Sequence, residues 1–195
     1  MAEHLPLVVI ALEIEGQGLF EQAGVSVLYT GLGKVNAALS LARRLSTLRA
    51  QGAMPNLVLN FGTAGSRTLA TGSVVACRQF VQRDMDVTGL GFALGETPFE
   101  ALPAALTFPA VFQGLPEGVC GTGDRFETGA SGLACDVIDM EAYALAKACL
   151  GESVPFACAK YISDGADHSA ANDWQASLPK AARAFLDLYR ALPAP

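Results

Sequence analysis

Charge is scarce in this chain. Of its 195 residues only 16% are charged, the 13 basic residues are outnumbered by 19 acidic ones, and the net charge is −6. A phosphate backbone requires a basic footprint, and the only adjacent basic pair here is Arg43-Arg44. Nucleic acid is therefore not expected as a partner. Histidine is scarcer, limited to His4 and His168. The five cysteines (Cys77, Cys120, Cys135, Cys149 and Cys158) form no Cys-x-x-Cys pair. Zinc sites need such clusters, so neither a metal nor a cofactor is expected. An odd cysteine count among apolar neighbours predicts reduced, buried thiols and a cytoplasmic protein. Long hydrophobic runs are also lacking. Leu5–Leu12 is far short of the roughly 20 residues that span a bilayer. It follows Glu3 rather than a cationic segment, so it is expected to be a buried strand and not a signal peptide, with no membrane partner.

Apolar residues are plentiful, at 51%, enough for a sizeable core in one domain over residues 1–195. A continuous apolar run predicts a strand covered on both faces at Leu5–Ala11, and further strands are expected at Val25–Thr30, Asn56–Phe61, Gly72–Gln82, Val137–Asp139 and Pro155–Ser163. Val119–Asp124 reads as a strand end and tight turn. Helical spacing predicts helices over Lys34–Gln51, Met140–Leu150 and Asp173–Leu192. Residues 84–115 read as loop-rich. Strands alternating with helices imply an α/β fold: a three-layer αβα sandwich around a mixed, largely parallel sheet.

Ligands in such sheets sit beyond the carboxyl ends of strands. Those ends here carry Glu13-Ile14-Glu15, Gly62-Thr63-Ala64-Gly65, Thr122-Gly123-Asp124-Arg125-Phe126, Asp139-Met140-Glu141 and Ser163-Asp164. Gly31-Leu32-Gly33-Lys34-Val35-Asn36 is not a dinucleotide fingerprint, because Asn36 stands where a third small residue is required. Nor is it a P-loop, which needs four residues between its glycines. It reads as a tight strand-to-helix turn. Taken singly, Glu141 could cap a helix, Asp164 could be a turn residue, and Phe126 and Met140 could belong to the core. Trp174 could pack in the core or line a pocket.

Taken together, these motifs resemble the nucleoside phosphorylase/nucleosidase superfamily, and within it the 5′-methylthioadenosine/S-adenosylhomocysteine nucleosidases. The matching pieces, in family order, are Ala11–Glu15, Gly31–Ala38, Asn60–Gly65, Asp84–Thr88 with Gly91–Gly95, Gly123–Phe126, Asp139–Ala142 and Ile162–Asp167. The resemblance implies a hydrolase of a purine nucleoside bearing a modified 5′ group, needing no cofactor and acting as a homodimer. It implies that Asp164 is the general acid at the purine N7, with Ser163 beside it. Glu15 activates water, with Thr63 helping to position it. Glu141 grips the ribose hydroxyls, and Met140 packs on the sugar. Phe126 stacks on the base while Glu127 reads its edge through the backbone. Trp174 lies near the 5′ group, and Leu90 and Phe92 reach across the dimer.

The chemistry is consistent with that assignment. Breaking an N-glycosidic bond builds positive charge on the sugar and negative charge on the base. An acid at the base and carboxylates near the sugar stabilise both. Phosphorylases of the superfamily are similar too, but Asn60 stands where they carry an arginine, and Glu13-Ile14-Glu15 replaces their early glycine/arginine loop. Arg67 is the remaining candidate phosphate partner. A non-catalytic nucleoside-binding module is the other alternative. The chain also departs from the resemblance between Glu15 and Gly31, between Pro98 and Gly121, and at Arg83, where histidine is common.

Overall fold

The computed structural model describes residues 5–125, 132–166 and 170–193. Its strands are β1 (Leu7–Ile10), β2 (Val27–Tyr29), β3 (Val58–Gly65), β4 (Val74–Gln82), β5 (Ala105–Thr107), β6 (Glu117–Thr122), β7 (Val137–Asp139) and β8 (Phe156–Asp164). Its helices are α1 (Glu13–Gly16), α2 (Leu19–Gln22), α3 (Lys34–Ala50), α4 (Ala142–Glu152) and α5 (Ala170–Arg190). Every residue of β1 and β8 is buried, including Lys160 and Asp164 within the largely apolar β8.

The strands form one mixed eight-stranded sheet. β1 pairs in parallel with β2 and β3, β3 with β8, and β6 with β4 and β7. β4 runs antiparallel to β5 and β8, and β3 meets β7 in a short antiparallel contact. The strands β3, β8, β4, β6 and β7 thus pair in a closed circuit. That closure draws the ends of β3, β7 and β8 together.

Helices cover both sides. α3 buries Ala37, Leu41 and Leu45 at four-residue spacing and packs with α4 on one face. Its end coincides with Gly52, at φ 65°, a conformation glycine adopts without a Cβ clash. α5 covers the other face, where Phe185 stacks on Phe61 of β3 at 5.3 Å and Phe20 of α2 stacks on Phe61 at 5.9 Å. Each of these fully buried side chains contributes about 1.5–3 kcal/mol.

Two departures from the sequence expectation bear on the site. The sequence predicts little more than a strand between Glu15 and Gly31, but the segment also forms α1 and α2. Glycines at 16, 18 and 24 leave each helix a single turn, too short to show a periodicity. Phe20 anchors the segment by tertiary burial. Gly62-Thr63-Ala64-Gly65 reads as a turn after β3 but is strand: it pairs with Lys160–Asp164 of β8, with a register shift at Ala64/Gly65.

Candidate active site

A cavity of about 380 Å³ opens where these strand ends meet, within the size range of small-molecule sites. Its lining includes Glu15 from α1, Thr63 to Gly65 from β3, Ile138 to Glu141 around the end of β7, Ser163 and Asp164 from β8, and Trp174 from α5. Acids from three distant parts of the chain, Glu15, Glu141 and Asp164, therefore share one pocket. They are 4%, 6% and 5% exposed. Burial that deep requires partners.

Glu15 is held on both oxygens. Its Oε1 accepts from the Thr63 N–H at 2.9 Å and the Thr63 hydroxyl at 2.6 Å, while Oε2 accepts from the Leu12 N–H at 3.2 Å. Asp164 is held at the end of β8. Its Oδ2 accepts from the Ser163 hydroxyl at 2.7 Å and its Oδ1 from the Ala166 N–H at 2.9 Å. Gly65 is required opposite it, because a Cβ there would stand 2.8 Å from Asp164 Oδ1. Ser163 lines the cavity too, yet its hydroxyl is engaged in holding Asp164.

Glu141 sits just before α4 without capping it by its side chain. Its Oε1 instead accepts from the Gly33 N–H at 2.9 Å. Gly33 makes that reach possible: its φ is 88°, and a Cβ on it would stand 3.0 Å from Asp124 Oδ1. Lys34 contributes to the same corner. Its backbone N–H donates to Asp124 at 2.7 Å, and its ammonium pairs with Asp84 at 2.6 Å. The Gly31–Lys34 turn is thus a structural joint, as its sequence suggests, that aims one N–H at Glu141.

Beneath Glu141 lies a charge pair that sequence reasoning missed. Lys160 of β8 and Asp139 of β7 meet at 2.8 Å, with side chains 2% and 1% exposed. Asp139 also accepts from the Thr122 hydroxyl, the Ala142 N–H at 2.8 Å and the Glu141 N–H at 3.3 Å. Burial would push Asp139 up, but the Lys160 ammonium and these donors hold it below its ordinary value. Burial likewise opposes charge on Lys160, yet Asp139 keeps it protonated, well above its usual range. For Glu141 the Lys160 charge and the Gly33 N–H also act downward but are outweighed. Burial first and the Asp139 charge second push its carboxyl from 4.5 up to about 7. The available signal was a single lysine inside the apolar strand Phe156–Ile162, because a buried charge demands a countercharge.

Other expected residues fall in several places. Met140 and Trp174 line the cavity. Arg83 and Arg125 line it as well, although the sequence assigns them no role. The Arg83 guanidinium donates to the carbonyls of Gly123 and Arg125. Leu90 and Phe92 lie outside the cavity. Leu90 is 73% exposed and Phe92 packs edge-on to Phe99 at 5.4 Å. Asn60 is buried and donates to the carbonyls of Val9 and Phe61. Arg67 donates to the Ala166 carbonyl at 3.4 Å and is absent from the cavity lining. Phe126, Glu127, Asp167 and His168 lie outside the described residues. Among the described residues no group of His, Cys, Asp and Glu could hold a metal, and no helix is long and apolar enough to cross a membrane.

The family model described as the phosphorylase superfamily matches residues 17–192. A 5′-methylthioadenosine/S-adenosylhomocysteine nucleosidase of Haemophilus ducreyi is 33% identical, over 89% of this chain and 83% of that protein. Among solved structures, the nucleosidase of the same name from Colwellia psychrerythraea, in complex with adenine, aligns with a TM-score of 0.80 at 25% identity, covering 95% of this chain and 93% of that one. The Helicobacter pylori nucleosidase with butyl-thio-DADMe-Immucillin-A aligns with a TM-score of 0.84 at 22% identity, covering 98% and 100%, a likeness of fold.

Proposed function

The chain belongs to the phosphorylase superfamily, and from that premise we propose that it is a hydrolase of N-glycosyl bonds, cleaving a 5′-modified adenosine of the 5′-methylthioadenosine/S-adenosylhomocysteine kind to free base and sugar. The observation that carries this reading is the convergence of Glu15, Glu141 and Asp164 on one cavity, each held by backbone or hydroxyl donors. Binding alone does not call for three buried acids.

In this reading water attacks the anomeric carbon while the bond to the purine breaks and its electron pair passes to the base. Asp164 donates a proton to N7 of the departing base, and Glu15 takes a proton from the water. Thr63 holds Glu15 in place. Glu141 accepts from the ribose hydroxyls, with Met140 against the sugar. Phe126 and Glu127 complete the base site. Hydrolysis is favoured over phosphorolysis by the surroundings of Glu15. Asn60 and Arg67 are directed at backbone carbonyls, and the Glu15 corner would repel a phosphate dianion. Incubating the purified protein with 5′-methylthioadenosine, S-adenosylhomocysteine and 5′-deoxyadenosine, with and without phosphate, tests the reading. Free adenine without phosphate is the expected product. Release only with phosphate, or none at all, overturns it.

The Glu141 carboxyl, pushed up to about 7, links affinity to stability in opposite senses. As an acceptor for sugar hydroxyls it works best ionised, so KM is expected to fall as pH rises through about 7. Its folded value lies above its unfolded one. Its contribution to stability is therefore fully present below 4.5 and lost as pH rises through about 7, by as much as about 3 kcal/mol. Glu141→Gln should flatten both trends, which KM and melting temperature measured across that range will check. A wild-type KM independent of pH there would remove Glu141 from the sugar.

We further propose a cytoplasmic homodimer. The free thiols suit a reducing compartment. The exposed apolar residues Leu90, Phe99 and Val35, 73%, 95% and 73% exposed, suit a subunit contact through which Leu90 and Phe92 would reach a neighbouring site.

A further inference from the structure

The chain holds a single tryptophan, Trp174. It stands on α5, is half-buried, and lines the cavity. Its Nε1 lies 2.8 Å from the Thr63 hydroxyl oxygen. We propose that Trp174 is a positioning residue: its indole N–H, acting through Thr63, orients the carboxylate of Glu15 for proton abstraction. This inference rests on the hydrolase reading above.

The direction of each bond follows from the donor inventory. An indole N–H can only donate, and a hydroxyl has one proton and two lone pairs. Thr63 Oγ1 must therefore accept from Trp174, so a lone pair is occupied there and its proton is aimed elsewhere. The acceptor in reach is Glu15 Oε1, at 2.6 Å. The same oxygen takes the Thr63 N–H at 2.9 Å. Oε1 is thus occupied by two donors from one residue. Oε2 receives, among the described residues, the longer bond from the Leu12 N–H, 3.2 Å. Oε2 is then the oxygen with a lone pair left to take a proton from water. The relay joins α5, β3 and α1, so it forms only in the folded chain. Excluding water from the cavity strengthens each of its bonds.

Replacing the sole tryptophan biosynthetically with β-(3-benzothienyl)alanine keeps the ring shape and removes the N–H. Trp174→Phe removes the N–H and part of the ring. Both are expected to lower kcat about 3- to 10-fold, the worth of one hydrogen bond, with KM for 5′-methylthioadenosine changed less than about twofold in the benzothienyl protein, which keeps the ring that lines the cavity. A purely space-filling indole predicts that the benzothienyl protein keeps its kcat, and that result overturns the proposal. A second readout needs no turnover. The single indole ¹H–¹⁵N cross-peak should shift, and its proton should exchange faster with solvent, in Thr63→Val. An unchanged peak also overturns the relay. A wild-type protein that cleaves nothing sinks the hydrolase reading instead, while the cross-peak still decides whether the relay exists.

Discussion

Asp164→Asn is expected to lower kcat by about 10²–10⁴-fold, the usual worth of a positioned general acid, while leaving the fold intact. The local bonds support that separation. An asparagine can accept from the Ala166 N–H where Asp164 Oδ1 does now, at 2.9 Å. Its amide can donate to the Ser163 hydroxyl, whose own proton can turn to the Ala64 carbonyl, 3.3 Å away. The volume opposite Gly65 is unchanged. What the amide lacks is a proton acidic enough to pass to N7 of the leaving base. Steady-state rates on 5′-methylthioadenosine, with a melting curve for each protein, provide the check. Near-normal kcat in a folded variant would take Asp164 out of the chemistry. Loss of rate together with loss of fold would show that its role is structural.

Lys160→Met should cost about 3–5 kcal/mol of stability, because it strands Asp139 without its counterion in the core. The favourable geometry of the pair does not make it strongly stabilising in net terms, since burying both charges is itself expensive. The asymmetry lies in removing one partner alone. Asp139 would have to stay ionised in the core without its countercharge or take up a proton, which would weaken the bonds it accepts from the Ala142 and Glu141 N–H groups. Urea unfolding of Lys160→Met, Asp139→Leu and the double variant measures this directly. The double variant is expected to recover much of the loss, with a coupling energy well above the roughly 0–1 kcal/mol of an exposed pair. Additive losses would mean that the two side chains do not depend on each other.

The parts of this fold that are legible in the sequence share a physical basis. β1, β3 and β8 are covered on both faces, so they had to be largely apolar, and such runs can be read without knowing their neighbours. α3 shows its core-facing stripe of Ala37, Leu41 and Leu45 at helical spacing. α1 and α2 do not, because a single turn carries no period. Their existence rests on the burial of Phe20 and on Glu15 reaching Thr63. The extension of β3 through Gly65 is hidden for another reason: Gly62 and Gly65 read as a turn in isolation, and only pairing with β8 makes them strand.

The sequence by itself determined that this is an α/β chain with acids and glycines at its strand ends, because the periodicity of burial and the cost of an unpaired charge are local properties. The tertiary structure decided how the acids that the resemblance groups come to meet. Closure of β3, β7 and β8 brings Glu15, Glu141 and Asp164 to one cavity and sets Lys160 beneath them against Asp139. It also turns Trp174 from a choice between core and pocket into a donor on Thr63. Each of these contacts joins residues far apart in the chain, and hydrogen bonds and ion pairs operate over a few ångströms of space whatever the separation in sequence.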